Sequence, residues 1–165
     1  FHVEEEQLVT TVAFDALVHE FGYMPDVLKV DIQGAELELL DGFPDICSRA
    51  LIIDLDVGFY RNYLEESVFW EVSRWMEANG FMLMDLDVNR VRRWAGNQNL
   101  NAFHDYLLND TTNQKCQPLW GSSIWVKDLL GSDQNETPEA LEKMITLCRF
   151  LKFSDYAQEL EDKTK

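Results

Sequence analysis

Short apolar runs along the chain alternate with stretches whose apolar residues recur at helical spacing. Three runs of strand length are bounded by glycine or polar residues, which predicts buried strands at residues 27–31, 51–57 and 81–88. Helices are predicted beside them, at residues 15–21, 35–40 and 65–79. Because strands alternate with helices, the pattern predicts an α/β fold with βαβ units and a mostly parallel sheet.

The chain changes character after the third predicted strand. Residues 90–116 are rich in Asn, Gln and Asp, which is typical of a lid or a poorly ordered insertion. A last strand is predicted within residues 122–130, and a strand that returns after such an excursion fits an antiparallel hairpin at the sheet edge. A hydroxyl cap, a proline and an acid at residues 137–139 indicate the first of two C-terminal helices. We therefore divide the chain into an α/β part, residues 1–130, and a linker with helices, residues 131–165.

Charge and composition exclude some classes of partner. The 165 residues include 30 acidic and 14 basic side chains, and the formal net charge is −16. Binding to a nucleic-acid backbone or to an anionic membrane needs basic patches, so neither is expected. No apolar run approaches the roughly 18–20 residues of a membrane span, and no signal peptide is indicated. The few, widely spaced cysteines, Cys47, Cys116 and Cys148, predict reduced and mostly buried thiols of a cytoplasmic protein.

Residues 28–42 carry the most specific motif of the chain. They read Leu-Lys-Val-Asp-Ile-Gln-Gly-Ala-Glu, followed by an apolar helix that ends in glycine. This segment resembles the signature of FkbM-like methyltransferases, with Asp31, Gln33, Gly34 and Glu36 at its defining positions. Asp54 departs from the family, which more often carries glutamate there. The resemblance extends over roughly residues 9–130.

The resemblance implies an S-adenosylmethionine-dependent methyltransferase, usually of a hydroxyl oxygen on a sugar, lipid or other small-molecule acceptor. It also implies the C-terminal part of a doubly wound, Rossmann-like class I sheet with an antiparallel last hairpin. The family grips its donor with a glycine-rich loop after the first strand, and no two glycines here are close enough for a Gly-x-Gly turn. We therefore expect the donor-binding half to lie outside this chain, and the chain alone to be inactive.

The site residues follow from the resemblance and from the rule that ligands of open α/β sheets bind at the carboxyl ends of the strands. We predict Asp31 and Glu36 as catalytic carboxylates, one of them the base that removes the acceptor proton. Asp31 and Gln33 are predicted to contact the donor. The acceptor is expected to contact three further residues, namely Asp56, Tyr60 and His104.

Each of these residues also has a purely structural interpretation. Asp31 could accept hydrogen bonds from the turn amides, and Gln33 could be an exposed turn residue. Glu36 would favour the start of a helix through the helix dipole alone. Tyr60 could serve in packing, and His104 could be a surface histidine of the polar excursion.

Two other functions stay open from the sequence. The chain could be a noncatalytic α/β module, a degenerate or truncated methyltransferase half that binds a partner. The Asp-x-Asp pairs at residues 54–56 and 85–87 could hold Mg²⁺ for phosphoryl transfer, but no phosphate-cradling glycine loop accompanies them. No histidine or cysteine spacing fits zinc, so no metal is predicted. The C-terminal helices, with one apolar stripe, could pack on their own domain or on a second subunit in a homo-oligomer.

Overall fold

A computed structural model of the protein describes residues 7–91, 116–131 and 137–163. The described chain is a mixed α/β structure, as predicted. Its elements are α1 (Phe14–Phe21), β1 (Val27–Val30), α2 (Glu36–Gly42), α3 (Pro44–Cys47), β2 (Ile52–Gly58), α4 (Phe69–Ala78), β3 (Phe81–Val91), β4 (Gln117–Lys127), α5 (Pro138–Phe150) and α6 (Ser154–Lys163). No described helix combines the length and the apolar character that a bilayer crossing requires.

The four described strands form one open sheet in the order β1-β2-β4-β3. β1 and β2 are parallel, and β4 is antiparallel to both β2 and β3. The predicted antiparallel pairing of the last two strands is therefore confirmed. The prediction of a mostly parallel sheet is wrong for the described strands, because β4 inserts between β2 and β3 and makes both of its pairings antiparallel.

One face of the sheet packs against the helices that follow β1 and β2. Alternate residues of β2 point to this face and are fully buried, as period-two alternation requires. They join residues of α2 and α4 in the first hydrophobic core. Its members include Leu40, Ile53, Leu55, Met76 and Trp125. This packing fixes where β1 and β2 end, and thereby where their following loops begin.

The opposite face of the sheet is covered by α5 and α6, at the end where β2 begins and β4 ends. Thr137 caps α5 by accepting a hydrogen bond from the Ala140 amide, as the sequence predicts. The second core joins Ile52 and Val126 of the sheet to Met144 and Leu160 of the helices, with five further buried residues. The C-terminal helices thus pack on the sheet of their own chain.

Two cysteines confirm the prediction of buried, reduced thiols. Cys47 and Cys148 are buried and free, while Cys116 is partly exposed. Burial raises the pKa of both buried thiols to about 11, so they remain protonated at neutral pH.

Several boundaries differ from the prediction. β3 extends to Val91, into the segment expected to be an irregular excursion, and β4 begins at Gln117, before the last strand predicted within residues 122–130. The short helix α3 was not predicted at all. α4 starts at Phe69 instead of residue 65. Glu65 has a φ of 61°, and the Ser67 amide donates to the carbonyl oxygen of Gly34 in the turn after β1 instead of to a helix.

Candidate functional site

The turn between β1 and α2 is held together by a buried glutamate. Gln33 and Gly34 both have left-handed backbone angles, with φ of 57° and 103°. Glu36 is only 2% exposed, and its Oε1 atom accepts hydrogen bonds from the amides of Ile32 at 3.2 Å and Gly34 at 3.1 Å. The carboxylate therefore satisfies two amides of the turn that the strand and the helix leave unpaired.

A second segment, residues 62–68, packs directly on this turn. The amide and the hydroxyl of Ser67 both donate to the carbonyl oxygen of Gly34, at 2.9 and 3.1 Å. The same hydroxyl accepts a hydrogen bond from the Leu37 amide. A Cβ atom on Gly34 would lie 2.8 Å from Cγ of Glu66. The glycine of the motif is thus required both by its backbone angle and by this close approach.

Glu66 is the least expected residue of the site. It is 6% exposed, and its Oε2 atom accepts hydrogen bonds from the amides of Asn62 and Tyr63, the latter at 3.0 Å. Its Oε1 atom lies against Gly58, where a Cβ atom would be 2.3 Å away. The sequence pattern assigned Glu66 to helix α4, so its position in the loop and its inward direction were missed.

These segments enclose a cavity of about 610 Å³ above the carboxyl ends of β1 and β2. That is the edge of the sheet where the strand-end rule places a ligand. Because β4 runs antiparallel to β2, its beginning lies beside the end of β2 and contributes to the wall. The lining residues are Gln33, Gly34, Glu36, Asp56, Val57, Gly58, Asn62, Tyr63, Glu66, Leu119 and Trp120.

The structure brings together three of the residues predicted for the site. Gln33, Glu36 and Asp56 all line the cavity. Asp31 is exposed and lies just outside the lining, where its Oδ1 atom accepts a hydrogen bond from the Gln33 amide group at 2.8 Å. The Gln33 side chain in turn accepts a hydrogen bond from the Tyr63 hydroxyl at 3.3 Å.

Two predicted acceptor contacts are not part of the cavity lining that the structure describes. Tyr60 is 59% exposed and does not line the cavity, although it lies between two lining residues, Gly58 and Asn62. His104 lies outside the described residues.

The cavity is acidic. Three of its lining side chains are carboxylates, and no lysine, arginine or histidine occurs among the described residues that line it. Asp56 is half-buried, and this burial is the largest cause that raises its pKa. The carboxylate of Asp31 raises it further and Lys29 opposes the shift. The site therefore contains a carboxyl group that binds a proton more tightly than an exposed aspartate does.

The aspartate pairs proposed for Mg²⁺ gain no support. Within residues 7–91, 116–131 and 137–163, no three side chains of metal-ligating type converge. Asp54 is engaged by Lys29 Nζ at 3.2 Å and by the Ser122 hydroxyl at 2.8 Å. β4 separates Asp54 and Asp56 from the pair at residues 85 and 87, which are exposed on β3.

Comparison with known proteins identifies the family. No curated protein and no solved structure matches the chain. The family model described as the methyltransferase FkbM domain matches residues 1–84, which are 84 of the 165 residues, and this match covers part of that domain. The matched region includes the β1–α2 turn, β2 and the segment that carries Glu66. The chain therefore belongs to the FkbM methyltransferase family.

Proposed function

We propose that the protein is an S-adenosylmethionine-dependent methyltransferase that acts on a hydroxyl oxygen of a small-molecule or glycan acceptor. The observation that carries this proposal is the position of the cavity. It lies at the carboxyl ends of two parallel strands, and the turn that defines the family forms one of its walls.

The residues present fit a cationic methyl donor. S-adenosylmethionine, when bound, supplies a methyl group on a positively charged sulfur. The wall formed by Gln33 offers an amide, Asp31 beside it offers a carboxylate, and no cationic side chain among the described lining residues would repel the donor. We assign Asp31 and Gln33 to the donor side of the cavity on these grounds.

The acceptor hydroxyl must lose its proton, and Asp56 is the carboxylate best suited to take it. Of the two residues we predicted as bases, Asp31 is exposed at the rim of the cavity, and one oxygen of Glu36 accepts hydrogen bonds from the turn amides. Asp56 lines the cavity, and its raised pKa makes it a stronger base than an exposed aspartate. We therefore assign the base to Asp56 and treat Glu36 as a positioning residue that fixes the shape of the turn.

The decisive experiment combines donor binding with methyl transfer. We expect the full-length protein, in which the family resemblance implies a donor-binding half besides this chain, to bind S-adenosylmethionine in a calorimetric titration. It should also transfer tritium from the labelled methyl group to members of a panel of sugars, lipids and hydroxylated small molecules. Asp56→Asn should lower transfer by about 10²–10⁴-fold, the usual contribution of a general base, with donor affinity retained.

The matched control is Asp45→Asn, the same change on the exposed face of α3. It should leave both donor binding and methyl transfer at the wild-type level. Absence of both binding and transfer in the wild-type protein would contradict the proposal and would favour the noncatalytic module instead.

A further inference from the structure

One oxygen of the buried Glu66 carboxylate lacks a hydrogen-bond partner among the residues that the structure describes. Oε2 accepts two backbone amide hydrogens, whereas Oε1 accepts none from any residue in the described part of the chain. Glu66 lines the cavity and is more than nine-tenths buried. A buried carboxylate oxygen without a donor is costly, so a ligand that supplies a donor at this point gains binding energy from it.

Two glycines, Gly34 and Gly58, leave the space that the Glu66 side chain occupies. Oε1 lies against Gly58 and Cγ lies against Gly34, and any Cβ atom at either position would collide with Glu66. Both glycines also line the cavity. The absence of a side chain at Gly34, in the turn after β1, and at Gly58, at the end of β2, therefore leaves space for the carboxylate at the cavity wall.

The surroundings of Glu66 suit a positive charge. Glu36 and Asp56 add two further carboxylates to the lining, and aromatic side chains of Tyr63 and Trp120 share the same cavity. Carboxylates together with aromatic rings are the combination by which proteins bind organic ammonium groups, through charge attraction and cation–π contact. An anionic acceptor would meet only repulsion from these side chains.

We infer that the cavity selects acceptors that carry a protonated amine, and that Glu66 Oε1 is the specificity-determining atom that binds it. The inference rests on the methyltransferase function proposed above, because it names the acceptor class of the same site. The Cγ atom of Glu66 packs on Gly34, but its Oε1 atom lies against Gly58 at the end of β2, whereas the proposed donor contacts, Asp31 and Gln33, follow β1. The amine therefore belongs to the acceptor side of the cavity.

Three sugars of similar size provide the test. Glucosamine carries an amine, N-acetylglucosamine has the same ring with the charge removed, and glucuronate carries an anion. Dissociation constants are measured by NMR titration of the purified protein at pH 7 and low salt, without donor. We expect glucosamine to bind at least tenfold more tightly than either of the other two. Equal affinities, or no binding of glucosamine, would overturn the inference.

Substitution of Glu66 separates recognition from folding. In Glu66→Gln the side-chain oxygen can still accept the amides of Asn62 and Tyr63, while an NH₂ group takes the place of Oε1. The melting temperature should change little, and the preference for glucosamine should fall to within about threefold. A preference that survives in Glu66→Gln would contradict the role of Oε1.

A glycine pair gives a second, independent measurement. Gly58→Ala places a methyl group 2.3 Å from Oε1, whereas a Cβ atom at Gly42 meets no atom within 4 Å. Gly58→Ala should weaken glucosamine binding at least tenfold, and Gly42→Ala should leave it unchanged. If both variants bind like the wild type, Oε1 does not contact the amine.

A final arm distinguishes the acceptor from the donor as the source of the cation. Saturating S-adenosylmethionine should leave glucosamine affinity unchanged or improved. Competitive displacement would assign the cation site to the donor and overturn the inference. The sugar titrations do not depend on methyl transfer, so the two proposals can fail separately. Selective binding of glucosamine without any methyl transfer would contradict the proposed function alone. Methyl transfer without selectivity for the amine would contradict this inference alone.

Discussion

The side chain of Glu66 occupies the space that a Cβ atom of Gly34 would need, with Cγ 2.8 Å from that position. Gly34 is the glycine of the family motif, and Glu66 lies 32 residues further along the chain. The contact joins the loop after β1 to the loop before α4, and both loops form walls of the cavity. The motif glycine therefore shapes the site through a residue that lies outside the motif.

Gly34→Ala should destabilise the protein strongly. Its φ of 103° disfavours a side chain, at a cost of about 1–3 kcal/mol, and the collision with Glu66 adds overpacking of about 1–3 kcal/mol. We expect a loss of about 2–6 kcal/mol in the free energy of unfolding, measured by urea denaturation.

The matched control for this change is Gly22→Ala, which separates the two causes. Gly22 also has a positive φ, of 72°, but a Cβ atom there meets nothing within 4 Å. It should cost only the strain, about 1–2 kcal/mol. If both variants lose the same free energy, the close approach of Glu66 contributes nothing.

Glu36→Ala should expose the structural role of that carboxylate. Two amides in the turn, of Ile32 and Gly34, would lose their acceptor, and each unpaired amide costs about 1–3 kcal/mol when buried. Because these amides are only partly buried, we expect a loss of about 2–4 kcal/mol in the free energy of unfolding. Glu36→Gln, whose amide oxygen can accept both hydrogens, should lose less than about 1 kcal/mol.

Glu38, exposed on the same helix, provides the comparison for Glu36. Glu38→Ala should change the free energy of unfolding by no more than about 0.5 kcal/mol. An equally small effect of Glu36→Ala would show that the turn does not depend on its buried glutamate.

The alternation of apolar and polar residues was sufficient to predict most of the elements but not the loops between them. Strands β1 and β2 and helix α2 lie within two residues of the prediction, because each buries an apolar set with a clear period. Helix α1 has no buried residue, and its end was predicted from Gly22, which caps it. α4 was placed four residues too early, since Glu65 and Glu66 are good helix formers by composition. Tertiary contacts to Gly34 decide the conformation there, and local propensity carries no information about them.

The same distinction applies to the site. Gln33 and Glu36 were predicted from the family motif after β1, and Asp56 was predicted because it lies near the carboxyl end of β2. All three line the cavity, because the carboxyl ends of parallel strands meet at one edge of a sheet. Trp120 was missed because it belongs to β4, whose register against β2 places it opposite Gly58. A strand that returns from the far side of a sheet brings residues to the cavity that are distant in sequence, and no local pattern marks them.

Asp56→Asn should stabilise the protein at neutral pH and not at low pH. Burial and the Asp31 carboxylate raise the pKa of Asp56, so the folded state binds this proton more tightly than the unfolded state. Wild-type stability therefore falls as pH rises from the ordinary pKa of an aspartate through the raised one, and stays lower above it. Asn carries no charge and should gain up to about 1 kcal/mol at pH 7, a figure limited by solvent screening of this half-buried group.

The measurement is the free energy of unfolding of both proteins at pH 7 and at a pH below the ordinary aspartate range. The difference between variant and wild type should shrink as pH falls. A difference that grows at low pH would mean that the Asp56 carboxylate is stabilised by folding, which is the opposite of the expected sign.

Tyr156→Phe should loosen the attachment of α6 to the sheet. The buried hydroxyl accepts a hydrogen bond from the Leu129 amide at 3.1 Å and donates one to the carbonyl oxygen of Lys127 at 3.2 Å, and burial raises its pKa to about 12. Without the hydroxyl, the buried Leu129 amide has no acceptor, which costs about 1–3 kcal/mol. Thermal unfolding should report this loss as a fall of several degrees, roughly 2–4 °C for each kcal/mol in a chain of this size.

Tyr60→Phe, which removes the hydroxyl of an exposed tyrosine, should not lower the melting temperature. Hydrogen exchange then locates the effect: α6 amides should exchange faster in Tyr156→Phe while those of α2 keep their rate, and uniform acceleration across both helices would show that α6 does not depend on this contact.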